Sequence, residues 1–390
     1  MIVVTHAFSR RNAGDSLLIN LTLSHLERAG FQPSECCVLA LDAESFRDLP
    51  CVRQVPSEPW KKVSLHALSG AGQLAMAGLT LVSRGRLRLG EIANTIASAR
   101  GIVATGGAYL RAGAPVPAMG SLLNHVPQLA LAAGSDAPAV YLPQSIGPLT
   151  GSVGRVIGRL LSKVDLVCVR DDESLQEVRR YAPARRLPDL AVMQLAESLE
   201  HLRPKDGGGD VVLVARDLSG DRGYEGRLWA LVDLLGPVTW AVQADAVGKK
   251  SDRRFYETLR VRPRGSVAET LDGAEAGTVV SVRLHGALQA LLAGWPAIHL
   301  SYERKGWGAY QDLGIEQYVH DARNFDPVLV ANQVKELRAD PHPYWAAIQA
   351  RRPEVLRASR ALTFDLRRLL GGSAGSDRSK PATLPERGND

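Results

Sequence analysis

The chain alternates between short apolar runs and longer stretches in which apolar residues recur at helical spacing. In its first half the apolar runs occupy residues 2–5, 102–105, 139–142 and 166–169, and small or polar residues follow each of them. Short β-branched runs of this kind are typical of buried strands, and strands separated by helical stretches pair in parallel. The pattern predicts an α/β fold with a mostly parallel sheet.

A second series of the same kind follows a glycine-rich stretch at residues 204–210, whose composition is that of a linker. Its apolar runs lie at residues 211–215, 238–242, 278–282 and 297–302. A chain of 390 residues also exceeds the size that one hydrophobic core usually supports. We therefore expect two Rossmann-like domains that face each other across a cleft.

The same patterns set the expected domain boundaries. We predict an N-terminal domain at residues 1–200 and a C-terminal domain at residues 208–335. Residues 336–370 have helical patterns, and we expect these helices to pack back across the domain junction. Residues 371–390 are polar and rich in Gly, Ser and Pro, which predicts a disordered tail.

Three basic residues stand at the ends of two neighbouring strands in the second predicted sheet. Arg283 and His285 follow the run at residues 278–282, and Lys305 comes just after the run at residues 297–302. Ligands of open α/β sheets bind beyond the carboxyl ends of the strands, where a helix N-terminus also favours an anion. Arg presents two parallel N–H donors to a phosphate, and His moves a proton near neutral pH. The segment predicts a site for a phosphate or a carboxylate.

The other predicted strand ends also carry polar residues or glycines that would face the same cleft. They are Asn12, Gly14, Asp15, Gly106, Gly107, Gln144, Arg170 and Asp171 in the first half and Arg216 in the second. Each has a structural alternative, because turns and helix N-caps use the same residue types. Asp15 or Ser16 would cap the first helix, for example. Asp171 or Asp172 would cap a later one, which leaves Arg170 as an ion-pair partner.

Composition narrows the class of protein. Hydrophobic residues make up 45% of the chain and charged residues 23%, which is ordinary for a soluble globular protein. The net charge is +6, but no basic run is interleaved with aromatic residues, so we expect no nucleic-acid partner. The four cysteines lack the spacing of a metal site, and we expect an inert buried thiol at Cys168. We therefore expect neither a metal nor a cofactor.

The sequence also bears on location in the cell. The first predicted strand begins directly at the N-terminus with no signal peptide, so we expect the protein in the cytoplasm. The longest apolar run, residues 70–82, is too short to cross a bilayer. Residues 65–89 lead into the end of the sequence RGRLRLG, and this stretch has two interpretations. Ordinary helix packing is favoured over a peripheral amphipathic contact with the inner face of the membrane.

Taken in order, these motifs resemble those of polysaccharide pyruvyl transferases over about residues 1–320. The family's N-x-G-D motif starts at Asn12, its glycine-rich loop is TGGAYLR, Q-x-I-G-P starts at Gln144, and R-D-x-x-S starts at Arg170. Pro188-Asp189 follows, and S-x-R-x-H stands at residues 281–285. Each motif is weak by itself, whereas all of them in the right order form a specific pattern.

The sequence departs from the family pattern in three places. The usual third glycine of the glycine-rich loop is Ala108, and the loop lacks an acidic residue that is often found there. The family's closing Tyr-Asp-Pro-Lys reads Tyr302-Glu303-Arg304-Lys305. We expect the chemistry to survive these changes and the choice of acceptor to be the property that differs.

The resemblance implies a GT-B-like fold and transfer of the enolpyruvyl group of phosphoenolpyruvate onto two hydroxyls of a sugar, which forms a pyruvate ketal. The acceptor would be a glycan or a lipid-linked sugar of the cell envelope, and phosphoenolpyruvate would be the donor substrate without a cofactor. By resemblance, the residues that hold phosphoenolpyruvate are Arg283, His285, Arg216, Arg170 and Lys305. Those that face the acceptor are Asn12, Asp15, Gly106, Gly107 and Gln144.

Ketal formation requires a general acid, a base for the acceptor hydroxyl and cations for the leaving phosphate. We predict His285 as the acid or phosphate proton donor and Asp15 as the base. Two other functions stay open, a GT-B nucleotide-sugar glycosyltransferase and a glycan-binding relative without turnover. A dinucleotide oxidoreductase is not expected, because no G-x-G-x-x-G follows the first strand.

Overall fold

The computed structural model describes residues 1–56, 63–82, 89–205, 209–218, 221–245, 251–272, 276–303 and 305–371. Within these ranges the chain forms two β-sheets, and every strand pairing in them is parallel. Helices pack on the sheets, as parallel crossovers require. The predicted α/β fold with two Rossmann-like units is confirmed.

The first sheet has seven strands in the order β3-β2-β1-β4-β5-β6-β7. They are β1 (Ile2–Ala7), β2 (Cys36–Ala40), β3 (Val52–Gln54), β4 (Gly101–Ala104), β5 (Ala139–Gln144), β6 (Leu166–Val169) and β7 (Arg185–Arg186). The helices of this half are α1 (Ala13–Arg28), α2 (Val63–Val82), α3 (Glu91–Ala97), α4 (Pro115–Asn124), α5 (Val126–Ala133), α6 (Gly151–Leu161), α7 (Asp172–Arg179) and α8 (Leu190–Ser198).

The second sheet has six strands in the order β10-β9-β8-β11-β12-β13. They are β8 (Asp210–Val214), β9 (Val238–Val242), β10 (Gly265–Ser266), β11 (Ala276–Ser281), β12 (Ala297–Ser301) and β13 (Val319–Asp321). The helices are α9 (Arg222–Leu235), α10 (Asp252–Thr258), α11 (Val267–Asp272), α12 (Leu284–Leu292), α13 (Lys305–Leu313), α14 (Pro327–Ala339) and α15 (His342–Gly371).

The strand order reverses direction once in each sheet. In the first sheet β1 lies between β2 and β4, and in the second β8 lies between β9 and β11. A ligand crevice forms where the order reverses, just beyond the carboxyl ends of the strands. The two crevices are therefore the expected positions for the two halves of a cleft.

The core explains why the apolar runs lack the alternation of a half-exposed strand. Strands β1, β2, β5 and β12 are buried at every position. Strands covered by helices on both faces need apolar residues on both faces. The larger hydrophobic cluster contains Val4 of the first sheet and Val280 of the second, so apolar packing joins the two halves.

The last helix connects the two halves, as predicted. Near its start, the Tyr344 hydroxyl donates to the carbonyl of Ala297 in β12 at 2.7 Å. At its end, the Nε of Arg100 donates to the carbonyl of Leu370 at 3.1 Å. Helix α14 spans the predicted boundary at residue 336, and the division into domains stays a prediction. The predicted tail lies outside the described residues from residue 372 onward.

The cysteines pair in a way that the sequence did not indicate. Cys37 in β2 and Cys51 next to β3 form a disulfide. Cys168 is free and buried, as predicted, and burial raises the pKa of its thiol to about 12. The disulfide therefore ties together two strands at one edge of the first sheet.

The described helices bear on the question of membrane contact. Helix α2 contains the apolar residues 70–82 and packs against α4 and α5, where Gly70 lies next to Leu123. None of the helices in the described ranges is both long enough and apolar enough to span a membrane. Residues 83–88, which hold most of the basic sequence RGRLRLG, lie outside those ranges.

Candidate active site

A cavity of about 560 Å³ lies between the carboxyl ends of the two sheets. A smaller pocket of about 80 Å³ adjoins it and shares several of its lining residues. The first half contributes Asn12, Asp15, Gly106, Gly107 and Tyr109 to this space, and the second half contributes Arg216, Arg283, His285 and Tyr302. Most of the residues predicted from the strand ends therefore meet in one cleft.

Arg283 is held by a carboxylate that the sequence did not reveal. The Nε of Arg283 donates to Oδ1 of Asp252 at 3.0 Å, and its Nη2 pairs with the same oxygen. Asp252 is buried, and its Oδ2 accepts from the backbone N–H groups of Gln243 and Ala244 at 3.0 and 2.8 Å. Burial would lower the pKa of Arg283, but Asp252 outweighs it and the pKa is raised. The guanidinium thus stays charged at the N-terminus of α12.

His285 lies in the first turn of the same helix, where the two halves of the protein approach closely. Its Nε2 lies 3.7 Å from Oδ2 of Asp189 in the first half. A Cβ atom added to Gly14 would lie 2.8 Å from the Nδ1 of His285, closer than real side chains approach. Gly14 is therefore required for the imidazole to reach its position against helix α1.

Arg170 lines the smaller pocket, but its guanidinium is bound to partners within the protein. Its side chain is 1% exposed and pairs with Asp189, whose side chain is equally buried. The remaining donors of Arg170 go to the carbonyl of Gly107 at 2.9 Å and to the Oγ of Ser145 at 3.1 Å. The ion pair that the sequence left open as an alternative for Arg170 is present, and its predicted contact with the donor stays a prediction. Through its bond to the Gly107 carbonyl, Arg170 holds the glycine-rich loop in place.

Asp189 carries the negative charge at the centre of this network. Burial alone would raise the pKa of its carboxyl, but the charge of Arg170 and the nearby His285 outweigh it and hold the pKa well below its usual range. The carboxylate also caps helix α8, because its Oδ1 accepts from the N–H of Ala191 at 2.9 Å. The sequence offered only the pair Pro188-Asp189, which resembles an ordinary helix start.

The N-x-G-D segment forms the start of α1. Asn12 rather than Asp15 or Ser16 is the N-cap, since its Oδ1 accepts from the N–H of Gly14 at 3.1 Å. The Nδ2 of Asn12 also donates to Oδ2 of Asp15 at 2.8 Å. Asp15 lines both cavities, so its carboxylate lies on the wall that faces the second half.

The same segment is bonded to the second half through its backbone. The N–H of Ala13 donates to the carbonyl of Gln243 at 3.1 Å, and the N–H of Asp245 donates to the carbonyl of Arg11 at 2.9 Å. These contacts join the start of α1 to the end of β9. The predicted base Asp15 therefore has a fixed position relative to Arg283 and His285.

Arg216 lies beside an aromatic ring at the end of β8. Its guanidinium stacks over the ring of Tyr302 at 4.5 Å from the centroid, and its Nη1 donates to the Tyr302 hydroxyl. Both residues line the larger cavity. Stacking of this kind fixes the plane of a guanidinium while its edge stays available to an anion.

For two of the predicted site residues, the described part of the structure shows no side chain in the cleft. Gln144 is fully buried at the end of β5, and its side chain lines neither cavity of the cleft. Lys305 begins α13, but its side chain lies outside the described part of the chain, as does the whole of Arg304. The predicted roles of these residues stay predictions.

A group of stacked rings forms the inner end of the larger cavity, and the sequence analysis missed it. His6 stacks on Tyr109 with centroids 4.5 Å apart, and its Nε2 lies 2.9 Å from the hydroxyl of Tyr141. His125 lies beside both rings. Burial and the neighbouring His125 hold the pKa of His6 well below its usual value, so its imidazole is neutral. Its φ of 68° is unusual for a residue with a Cβ.

An ion pair between the two halves lines the larger cavity. Arg111 of the glycine-rich loop donates from Nη1 and Nη2 to the two carboxylate oxygens of Glu303, at 2.9 and 3.0 Å. Both residues belong to the motifs in which the sequence departs from the family pattern. Two motifs that are far apart in sequence therefore contact each other in the structure.

No group of three or more His, Cys, Asp or Glu side chains that could hold a metal ion occurs in the described ranges. Asp252 is instead paired with Arg283, and Asp189 is paired with Arg170.

Comparison with known proteins identifies the family. A model of the polysaccharide pyruvyl transferase family matches residues 12–304, which is most of the chain and includes every predicted site residue except Lys305. The chain belongs to the polysaccharide pyruvyl transferase family. This membership makes the protein a transferase and confirms the resemblance drawn from the ordered motifs. A search of curated protein sequences finds no significant match.

Solved structures support the GT-B-like fold. The UDP-GlcNAc 2-epimerase from Neisseria meningitidis bound to UDP-GlcNAc is similar with a TM-score of 0.51 and 10% identity, covering 94% of this chain and 100% of that one. LpCGTa in complex with UDP is similar with a TM-score of 0.51 and 13% identity, covering 95% of this chain and 99% of that one. At such low identity these similarities show the fold alone.

Proposed function

We propose that this polysaccharide pyruvyl transferase moves the enolpyruvyl group of phosphoenolpyruvate onto two hydroxyls of one sugar and releases phosphate. The observation that carries the proposal is the composition of the cleft. The guanidinium groups of Arg216 and Arg283 and the imidazole of His285 line one side, and Asn12 and Asp15 line the other. An anionic donor needs the basic wall, and an acceptor hydroxyl needs the wall that carries a carboxylate.

The reaction consumes no water, because the acceptor hydroxyls supply both oxygen atoms of the ketal. The methylene carbon of phosphoenolpyruvate gains a proton, and one acceptor hydroxyl attacks the central carbon. The bond from that carbon to the phosphate oxygen breaks, and a second hydroxyl closes the ketal. Of the two protons that the hydroxyls release, one balances the proton taken up by the methylene carbon and the other leaves on the phosphate.

The residues divide these tasks by position. Arg283 and the N-terminus of α12 stabilise the charge of the leaving phosphate, with Arg216 as a second cation. His285 is the proton donor of the reaction. The Asp189 carboxylate, 3.7 Å from its Nε2, stabilises the positive charge of the imidazolium form. Asp15 accepts a proton from the acceptor hydroxyl. Arg170 positions the glycine-rich loop that faces the acceptor.

We propose a sugar of a surface polysaccharide or of its lipid-linked precursor as the acceptor. The cavity of about 560 Å³ has room for a monosaccharide unit beside the donor, and its inner end is lined by the rings of His6, Tyr109 and His125. Aromatic faces and neutral hydrogen-bonding groups suit a sugar ring. A lipid-linked acceptor would place the enzyme at the inner face of the membrane in the cytoplasm.

The test is a direct incubation of the protein with phosphoenolpyruvate and a glycan extract of the host's surface. Saturable binding of phosphoenolpyruvate and phosphate release that depends on the extract are expected. His285→Ala should lower the rate by about 10²–10⁴-fold if His285 acts in proton transfer, and a loss below about tenfold would contradict that role. Transfer from a nucleotide sugar would instead support a glycosyltransferase, and tight glycan binding without any turnover would indicate a non-catalytic relative.

A further inference from the structure

Gln243 is a buried residue of the cleft that has no role in the proposed mechanism. It directly follows β9, and its residue is 2% exposed. It lines the smaller pocket together with Arg283, His285 and Tyr302. A polar side chain in this place is surrounded by the residues proposed to bind the donor.

The carboxamide of Gln243 makes no hydrogen bond to any residue in the described ranges. Both its Oε1 and its Nε2 are buried without a partner. Such a group costs stability, because folding removes it from water without replacing its hydrogen bonds. Buried polar atoms in native proteins are almost always paired, so an unpaired amide at a binding site requires an explanation.

The backbone of Gln243, in contrast, is held on both sides. Its N–H donates to Oδ2 of Asp252, and its carbonyl accepts from the N–H of Ala13. The same Asp252 also holds Arg283. The backbone of Gln243 and the guanidinium of Arg283 therefore have fixed positions relative to each other.

The amide also lies against the start of α12. A Cβ atom added to Gly286 would lie 3.3 Å from Oε1 of Gln243, so the absence of a side chain at Gly286 gives the amide its space. The N-terminus of a helix with nine residues favours an anion at this point. An anion bound there would come within reach of the unpaired amide.

We propose that Gln243 is a donor-binding residue whose carboxamide donates a hydrogen bond to an oxygen of bound phosphoenolpyruvate. The inference rests on the proposed function, because it takes phosphoenolpyruvate as the donor. An amide suits this position because it provides N–H donors and brings no charge that would need a counter-ion beside Arg283. Without ligand, the carboxamide of Gln243 has no hydrogen-bond partner among the described residues. Bound phosphoenolpyruvate would supply that partner.

The experiment compares Gln243→Leu with the wild-type full-length protein. The dissociation constant for phosphoenolpyruvate is measured by calorimetric titration, and the thermal unfolding midpoint is measured without ligand. We expect the dissociation constant to rise by about 10- to 100-fold, as for the loss of a hydrogen bond to a charged group. We expect the midpoint of the free protein to stay equal or to rise, because leucine removes two unpaired polar atoms.

Gln73→Leu is the matched control. Gln73 is also buried and its Nε2 is unpaired within the described ranges, but it lies in α2 and lines a different pocket. We expect its dissociation constant to stay within about twofold of wild type. Gln243→Glu serves as a second variant, in which a carboxylate of the same shape should weaken phosphoenolpyruvate binding further by repulsion.

Each outcome has a definite consequence. Wild-type affinity in both Gln243 variants would overturn the inference and leave the proposed function standing. A lower midpoint in Gln243→Leu together with weaker binding would mean that the amide stabilises the fold, which also overturns the inference. No binding of phosphoenolpyruvate to the wild-type protein would overturn the proposed function itself, and the inference with it.

Discussion

Asp189→Asn tests the buried charge network that supports the cleft, because it removes one negative charge and almost no volume. In the wild-type protein the Asp189 carboxylate pairs with Arg170, caps α8 and lies 3.7 Å from Nε2 of His285. Asparagine also caps helices well, so the cap should survive. The charge of Arg170 would stay buried without a counter-ion.

The expected magnitude follows from this burial. Breaking a buried ion pair by removing one partner costs about 3–5 kcal/mol. The entropy of unfolding is about 2.1 cal/mol/K per residue, or about 0.8 kcal/mol/K for cooperative unfolding of this chain of 390 residues. The midpoint of Asp189→Asn should therefore fall by about 4–6 °C. Asp48→Asn at the exposed pair with Arg10 is the control and should fall by about 1 °C at most.

Scanning calorimetry at several pH values checks both the size and the sign of the effect. The pKa of Asp189 is lowered in the folded protein, so its stabilisation is complete above the unfolded pKa of about 3.9. The difference in unfolding midpoint between wild type and Asp189→Asn should stay constant from about pH 8 to pH 5 and narrow only in stronger acid. A fall in the unfolding midpoint at pH 7 as small as that of Asp48→Asn would contradict the claim that Asp189 is the necessary counter-ion of the buried Arg170.

Three further predictions concern activity, measured as phosphate release from phosphoenolpyruvate in the presence of acceptor. Gly14→Ala should lower activity by more than about tenfold, because its Cβ would displace His285. Gly226→Ala in α9 is the control, since a Cβ there meets open space. It should leave activity unchanged and stabilise the protein by about 0.5–1 kcal/mol. Arg111→Glu should weaken acceptor use through repulsion of Glu303, and adding Glu303→Arg should restore part of the loss; no recovery in the double variant would contradict a direct pairing. Dialysis against a chelator should not change activity, and a loss that Mg²⁺ reverses would overturn the expectation of a metal-free reaction.

The strand ends could be predicted because parallel sheets place them at one edge. The apolar runs located the two sheets, and Arg283 and His285 follow directly from the end of β11. The helix Ala13–Arg28 likewise placed Asn12 and Asp15 at the cleft. These are local relations between a strand or helix and the residues next to it, which a sequence pattern contains.

The partners of these residues could not be predicted, because they come from distant parts of the chain. Nothing in the sequence links Asp252 to Arg283 or Asp189 to His285, and both acids resemble ordinary helix starts. Arg170 lines the smaller pocket, as its position after β6 predicts, but the burial of its side chain and its contact with the Gly107 carbonyl could not be predicted. Burial depends on the packing of whole elements rather than on local pattern.

The most direct test of the central claim follows the carbon atoms of the donor. The purified protein is incubated with phosphoenolpyruvate labelled with carbon-13 and with the acceptor fraction of the host's surface glycans, and the glycans are examined by mass spectrometry and NMR. We expect a labelled methyl group in a pyruvate ketal on one sugar and one phosphate released for each ketal formed. Phosphate release with the label recovered only as free pyruvate, or no label in any glycan, would contradict it.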